Sequence, residues 1–229
     1  MCYNRLMKRA SQSKKSHQKS KLTFTKLYVD YLNDKIKLKT YQKLGIAFLI
    51  VVISGTVGWL YEFIFARLNE GDWYMQGGNL LPWMNIYAIG ALAIIPLTYK
   101  VKKHPCLIYL IAFLTTGFIE LIGGWLVYTI GNGTRYWDYN EQPWNLGNIG
   151  GFVCLLSVTV FSIASLLLMY GVFPFCIYLS LKLKKRTFLA LAITLFAIIM
   201  LDELTNLTLK NLGLPTAMDF YQSLGLEYR

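Results

Sequence analysis

Five apolar blocks, each about as long as one bilayer crossing, constrain this chain more than any other feature. They run from about Leu44 to Phe65, Pro82 to Tyr99 and Cys106 to Ile130, then within Ile149 to Leu181, and from about Thr187 to Leu204. At 1.5 Å of rise per helical residue, each can cross a hydrocarbon core of roughly 30 Å. The expected fold is therefore all-α: a polytopic transmembrane helix bundle of about five membrane helices, with residues 44–205 as its membrane domain. The fourth block is too long for one perpendicular crossing. It is expected to tilt, to kink before Pro174, or to begin as an interfacial or re-entrant segment. Split into two short helices, it would give six crossings and move the C-terminus inside. Composition agrees, because 55% of residues are hydrophobic and only 15% charged, too little charge to cover a soluble domain of this size. No long soluble stretch lies between the blocks, so no separate catalytic domain is expected.

The net charge of +11 would suit nucleic acid if it were spread over a surface, but it is confined to one side. Twelve of the 23 Lys and Arg lie in residues 1–43. Lys100, Lys102 and Lys103 follow the second block, and Lys182, Lys184, Lys185 and Arg186 follow the fourth. Only Arg67, Arg135, Lys210 and Arg229 fall on the other side. Cytoplasmic loops retain positive charge, so this alternation places the N-terminus in the cytoplasm and, with five crossings, the 206–229 tail outside. Nucleic acid is not needed to explain the pattern; the lipid bilayer is the expected partner. Within residues 1–43 the Ser/Lys-rich beginning reads as disordered. The stretch from Thr25 to Lys43 reads either as a basic amphipathic helix on anionic lipid or as a solvated tail. The tryptophans Trp59, Trp73, Trp83, Trp125, Trp137 and Trp144 all fall near the outer side, as an aromatic belt would.

About forty polar residues precede the first apolar block, so no cleavable signal is expected and that block stays as a helix. Cys2, Cys106, Cys154 and Cys176 form no CxxC pair and are expected as free thiols. His17 and His104 are the only histidines, so a metal site is not expected. Neither GxxxxGK[ST] nor GxSxG occurs, and no enzyme activity or cofactor is indicated.

Two acids interrupt the apolar blocks. Glu62 lies near the expected outer end of the first helix. Glu120 lies about ten residues before the outer end of the third, roughly 15 Å deep by helical rise. A carboxyl there must face the protein interior, pair, or be protonated. Spacing supports an interior face: Ser54, Gly58 and Glu62 fall at i, i+4 and i+8, and Gly117, Glu120 and Gly124 at i, i+3 and i+7, where small residues admit a neighbouring helix. The functional reading is a proton or ion relay, or a contact to a cationic group; the structural one is a lock on helix packing. In the outer loop, residues 131–151, Arg135, Trp137, Asp138 and Tyr139 are placed to fold back over the helix ends, with Arg135 able to neutralise Glu62 or Asp138. The alternative there is an ordinary interfacial loop anchored by its aromatics. Asp202 and Glu203 are expected to end the fifth helix in water.

Several of these stretches, in this order, carry a family resemblance over roughly residues 45–180. Gly58-Trp59-Leu60-Tyr61-Glu62 resembles a GW..E element. Leu81-Pro82-Trp83-Met84-Asn85-Ile86-Tyr87 and the Gly90-Ala91-Leu92 beyond it resemble GP..PIYG.GAL. Arg135-Tyr136-Trp137-Asp138-Tyr139 with Pro143-Trp144-Asn145-Leu146 resembles R.WDYS..P.NL.G. Together they resemble the small bacterial membrane proteins of the Putative ABC-transporter type IV family, also described as permeases. The chain departs from that pattern at Asn85, where Pro is expected, at Ala88, where Gly is expected, and after Asn145-Leu146, where an Arg is missing.

The resemblance implies a permease-like component of a bacterial plasma membrane, partnered by a separate ATPase subunit. It also gives the loop weight as part of an outer polar pocket. The expected binding residues are Glu62, Glu120, Arg135, Trp137, Asp138, Tyr139 and Asn145. The very short cytoplasmic loops give an ATPase little to grip. The competing readings are a non-catalytic membrane scaffold or regulatory subunit and, more distantly, a lipid-modifying membrane enzyme.

Overall fold

A computed structural model of the chain describes residues 23–70, 74–75, 78–131, 133, 135, 137–140, 142, 145–225 and 227–228. The Ser/Lys-rich beginning of the chain, with Cys2 and His17, lies outside the described residues, as do Trp73 and Trp144. The described chain is a helix bundle. A short helix α1 (Phe24–Leu32) precedes α2 (Thr40–Glu70), α3 (Asn85–Thr98, with one 3-10 turn to Val101) and α4 (Pro105–Ile130). A fourth rod comprises α5 (Leu155–Leu167), a π-helical turn (Leu168–Val172) and α6 (Phe173–Lys182); α7 (Lys185–Asn211) and a short α8 (Ala217–Ser223) follow. Four of these rods are long and apolar enough to cross a membrane, and Asn85–Val101 is a shorter apolar helix. Large apolar side chains such as Leu114, Phe118, Ile89 and Leu201 remain exposed on the rods, as lipid-facing positions must. The only strand pairing among the described residues is a two-residue parallel one, Tyr74–Met75 with Glu227–Tyr228.

The fourth block forms one continuous rod. Pro174 has no N–H and its ring crowds the carbonyl four residues back. The chain absorbs this with one turn of π-helix just before it, the Phe173 N–H reaching back to the Leu168 carbonyl. A π turn leaves a carbonyl without its usual partner. Here the Tyr31 hydroxyl donates to the Met169 carbonyl at 3.1 Å. Tyr31 and Leu27 of α1 are each 1% exposed, so α1 packs into the lysine-rich end of the bundle, against α6. Burial pushes the Tyr31 phenol well above the usual tyrosine range, which keeps it a donor. Tyr31→Phe is expected to cost about 1 kcal/mol, the usual net value of one intramolecular hydrogen bond. A lowered melting temperature of detergent-purified protein, with unchanged helicity, checks this.

The core divides along the membrane normal. Toward the lysine-rich end Ile46, Leu49, Ile50, Ile94, Phe173, Ile177 and Phe188 form one apolar cluster with Leu27 and Tyr31, edged by the buried polar side chains of Gln42, Thr98, Lys102 and Ser180. A smaller cluster of Val51, Trp83, Ala88 and Ile199 follows. Toward the opposite end the buried polar side chains include Asn79, Glu120, Ser157 and Asn206.

Candidate functional site

Helix α3 begins at Asn85, three residues later than its sequence suggested, because Met84 is extended and Trp83 and Met84 are both bonded to the backbone of α2. The Met84 N–H donates to the Gly55 carbonyl at 3.1 Å, and the Trp83 indole N–H to the Val51 carbonyl at 3.0 Å. Trp83 is therefore buried in the bundle at 3% exposure rather than standing in an interfacial belt. Its indole lies over Gly55, and one turn on, the Tyr87 ring lies over Gly58 so closely that a Cβ on either glycine would overlap the ring above it. This fit aims the Tyr87 hydroxyl at Glu62, to which it donates a hydrogen bond. Ser54 aside, the stripe read from the sequence is a seat for one neighbouring helix. Helix α2 continues to Glu70, so Glu62 lies two turns inside it rather than at its end.

The second stripe faces α5 and the outer loop. Gly117 lies against Val158, at 3.6 Å from a Cβ position. A Cβ on Gly124 would stand 3.0 Å from the Phe152 ring and 3.3 Å from Trp137. Between them Glu120 is 6% exposed. Tyr139 donates to its Oε1 at 3.0 Å, and Ser157 donates to its Oε2 at 2.7 Å. The Glu62 carboxyl is near enough to interact with Glu120 through space. Tyr61 stacks edge-on against Tyr87, with ring centroids 6.4 Å apart, and Tyr87 meets Phe161 of α5 at 5.3 Å. Neither acid is paired with a basic side chain among the described residues.

Ser157 gives this arrangement a property that a simple clamp lacks. Its hydroxyl has one hydrogen and two acceptors in reach, Glu120 and the Cys154 carbonyl at 2.9 Å, and it also accepts from the Cys154 N–H at 3.4 Å. With Glu120 ionised, Tyr139 and Ser157 both donate to it. With Glu120 protonated on Oε2, the acid donates to Ser157, whose hydrogen turns to the Cys154 carbonyl. Hydroxyl rotors allow both patterns, so the site satisfies Glu120 with or without its proton. Tyr139 keeps its own proton in either case: burial first, then the nearby Glu120 carboxyl, push its phenol well above the usual range.

The outer loop holds Tyr139 in place. Arg135 donates to the Gly150 carbonyl at 2.8 Å, lies 3.4 Å from Asp138, and its guanidinium covers the Tyr128 and Phe152 rings at 4.8 and 4.6 Å. It thus meets Asp138, not Glu62. Trp137 donates to the Phe152 carbonyl at 2.8 Å, and the Tyr139 N–H to the Gly151 carbonyl at 3.0 Å. Gly151 has φ +79°, and a Cβ there would overlap Arg135, Asp138 and Asn140; only glycine fits. Asn145 stays exposed, donating to the Asn140 carbonyl at 3.4 Å, away from both acids. Of the seven expected residues, then, Glu62, Glu120 and Tyr139 come together, Arg135, Trp137 and Asp138 brace the loop behind Tyr139, and Asn145 stands apart. Tyr87 and Ser157 escaped the sequence reading. Hydroxyls on otherwise apolar segments, within a turn or two of an outer helix end, were the available signal for them.

Asp202 and Glu203 do not end their helix, which continues to Asn211. They clasp the segment before α3 instead. Asp202 accepts from the Leu80 and Leu81 N–H groups at 3.2 and 2.7 Å, and Glu203 from the Asn79 and Asn85 amides at 2.7 and 3.3 Å. At Asn85, a departure from the family pattern, the amide therefore serves as a tether that proline could not supply.

A family model described as Putative ABC-transporter type IV matches residues 47–207, a stretch that contains both acids, the outer loop and Ser157. No curated protein and no solved structure matches the chain.

Proposed function

The chain belongs to the Putative ABC-transporter type IV family, and from that premise we propose that this multi-pass membrane protein is a permease-like component that binds or moves a small cationic or proton-coupled solute. The polar site is Glu62 and Glu120 with the hydroxyls of Tyr87, Tyr139 and Ser157, in the outer half of a plasma membrane whose inner face carries the lysine-rich end. One observation carries the reading: among the described residues Glu120 is buried without a basic partner, and its hydroxyl donors satisfy it in both protonation states. A carboxyl meant only to lock helices needs one stable pattern. A carboxyl that exchanges a proton or receives a cation needs two. Arg135, Trp137 and Asp138 serve as positioning residues through Tyr139.

The expected outcome is that Glu120→Gln, which keeps the shape and hydrogen-bonding capacity but not the exchangeable proton, lowers uptake or efflux of the responsive solute at least tenfold. The folded yield is expected to stay unchanged. Glu62→Gln is expected to do less, because Tyr87, which bonds Glu62, can donate to an amide oxygen as well. Unchanged transport of every responsive solute in Glu120→Gln would remove the relay. The family's transporter name implies energy supply by a separate ATPase. Mass spectrometry of detergent-copurified protein reads it directly.

A scaffold or regulatory subunit is the second reading. It is favoured by the way the same bonds fasten α4 to α5 and to the loop, with no buried side-chain polar atom left unpaired among the described residues. A stable partner recovered without any transport phenotype on deletion would select it.

A further inference from the structure

At the lysine-rich end, between α2, α3 and the linker that joins α1 to α2, lies a groove of about 590 Å³. Its lining is apolar on the two helices, with Ile46 and Ile50 from α2 and Leu92 and Ile95 from α3, and includes Lys37 and Lys43. Lys43 and Ile50 are seven residues apart on one helix, so the groove follows α2 for roughly 10 Å from Lys43 toward the bilayer centre. The volume falls in the range of small-ligand sites, roughly 300–1,000 Å³. Both lysines are exposed, and no carboxylate pairs with either among the described residues. The nearest acid in the linker sequence, Asp34, is paired elsewhere, with the buried Lys102.

We propose that this groove binds one anionic phospholipid of the inner leaflet. Lys37 and Lys43 hold its phosphate, and one acyl chain lies against Ile46, Ile50, Leu92 and Ile95. Charge complementarity selects an anionic lipid over a zwitterionic one, because two unpaired ammonium groups face the level at which headgroups sit. The length and apolarity of the wall select an amphiphile over a free anion, which would leave that surface uncovered. Bound there, the lipid would join the linker to α2 and α3 on the side opposite the carboxyl site.

Delipidated full-length protein in mild detergent, titrated in native mass spectrometry with phosphatidylglycerol, with phosphatidylcholine of the same chains and with inorganic phosphate, tests the proposal. The expected result is a single phosphatidylglycerol adduct at five- to tenfold lower concentration than the phosphatidylcholine adduct, and none with phosphate. The double variant Lys37→Gln/Lys43→Gln is expected to erase that preference, whereas Lys14→Gln/Lys15→Gln in the basic beginning of the chain leaves it intact. Ala47→Trp, which fills the groove, is expected to weaken both lipids. Equal retention of the two lipids by the unaltered chain would overturn the proposal. So would a preference that survives loss of Lys37 and Lys43, or one that disappears with Lys14 and Lys15. Lys37 and Lys43 are exposed side chains, so a folding defect does not blur the outcome of their substitution.

Discussion

Replacing Gly58 with leucine is expected to separate α3 from α2 and to leave little folded protein after detergent extraction. Even Gly58→Ala is expected to melt well below the unaltered chain. The Tyr87 ring occupies the space a Cβ would need, and overpacking of a tight contact costs about 1–3 kcal/mol. Alanine recovers at most about 1 kcal/mol of helix propensity relative to glycine, so the net effect stays unfavourable; leucine adds three more carbons to the same overlap. Gly90 on α3 supplies the control. Nothing lies within 4 Å of a Cβ placed there, so Gly90→Ala is expected to be neutral or slightly stabilising. Fluorescence-detected size exclusion across a temperature ramp compares the three variants. Equal melting of Gly58→Ala and Gly90→Ala would mean that the Tyr87 ring does not seat on α2, and the bond to Glu62 would lose its support with it.

The second large effect concerns Glu120. Its alanine variant is expected to be less stable by about 1–3 kcal/mol, the cost of leaving a buried polar group without its partner, with a further cavity cost for the missing carboxyl. The loss is uneven. Ser157 can turn its hydrogen to the Cys154 carbonyl at 2.9 Å, whereas Tyr139 is left with the Ser157 oxygen as its acceptor, which Ser157→Ala would remove as well. Tyr139→Phe is therefore expected to rescue part of the stability of Glu120→Ala, while Ser157→Ala is not; a double-mutant cycle on melting temperature measures the difference. Glu120→Gln is expected to melt close to the unaltered chain. Stability and transport then separate cleanly. A stable but inactive glutamine variant supports a proton or cation role, and a stable, active one supports the scaffold reading.

The helical rods were legible because lipid leaves the backbone few choices. An apolar run of this length must satisfy its own hydrogen bonds, and the result is a helix whatever surrounds it. Boundaries were less legible. Pro82 to Met84 is as apolar as the helix it precedes, and the bonds from Trp83 and Met84 to the α2 backbone hold it outside that helix. The π turn before Pro174 was foreshadowed as a kink, but its form depends on Tyr31, which arrives from 138 residues earlier in the chain. Asp202 and Glu203 looked like a helix end because acids are costly in lipid. The structure meets that cost with two backbone N–H groups and two amides from the segment before α3.

The carboxyl site divides in the same way. Helical spacing alone places Glu62 and Glu120 on small-residue faces, since positions three, four and seven apart share one side of a helix regardless of the partner. Which hydroxyls meet those acids is a tertiary matter. Tyr87, Tyr139 and Ser157 lie 25, 19 and 37 residues from the carboxyls they bond, and no local pattern couples such distances. By itself the sequence determined which stretches form apolar helical rods, which end of the bundle is lysine-rich and that Glu120 is buried, because each follows from the exchange of side chains and backbone between water and lipid. Only the packing of one rod on another decided what those acids touch, because a hydrogen bond between distant segments exists only once both are in place.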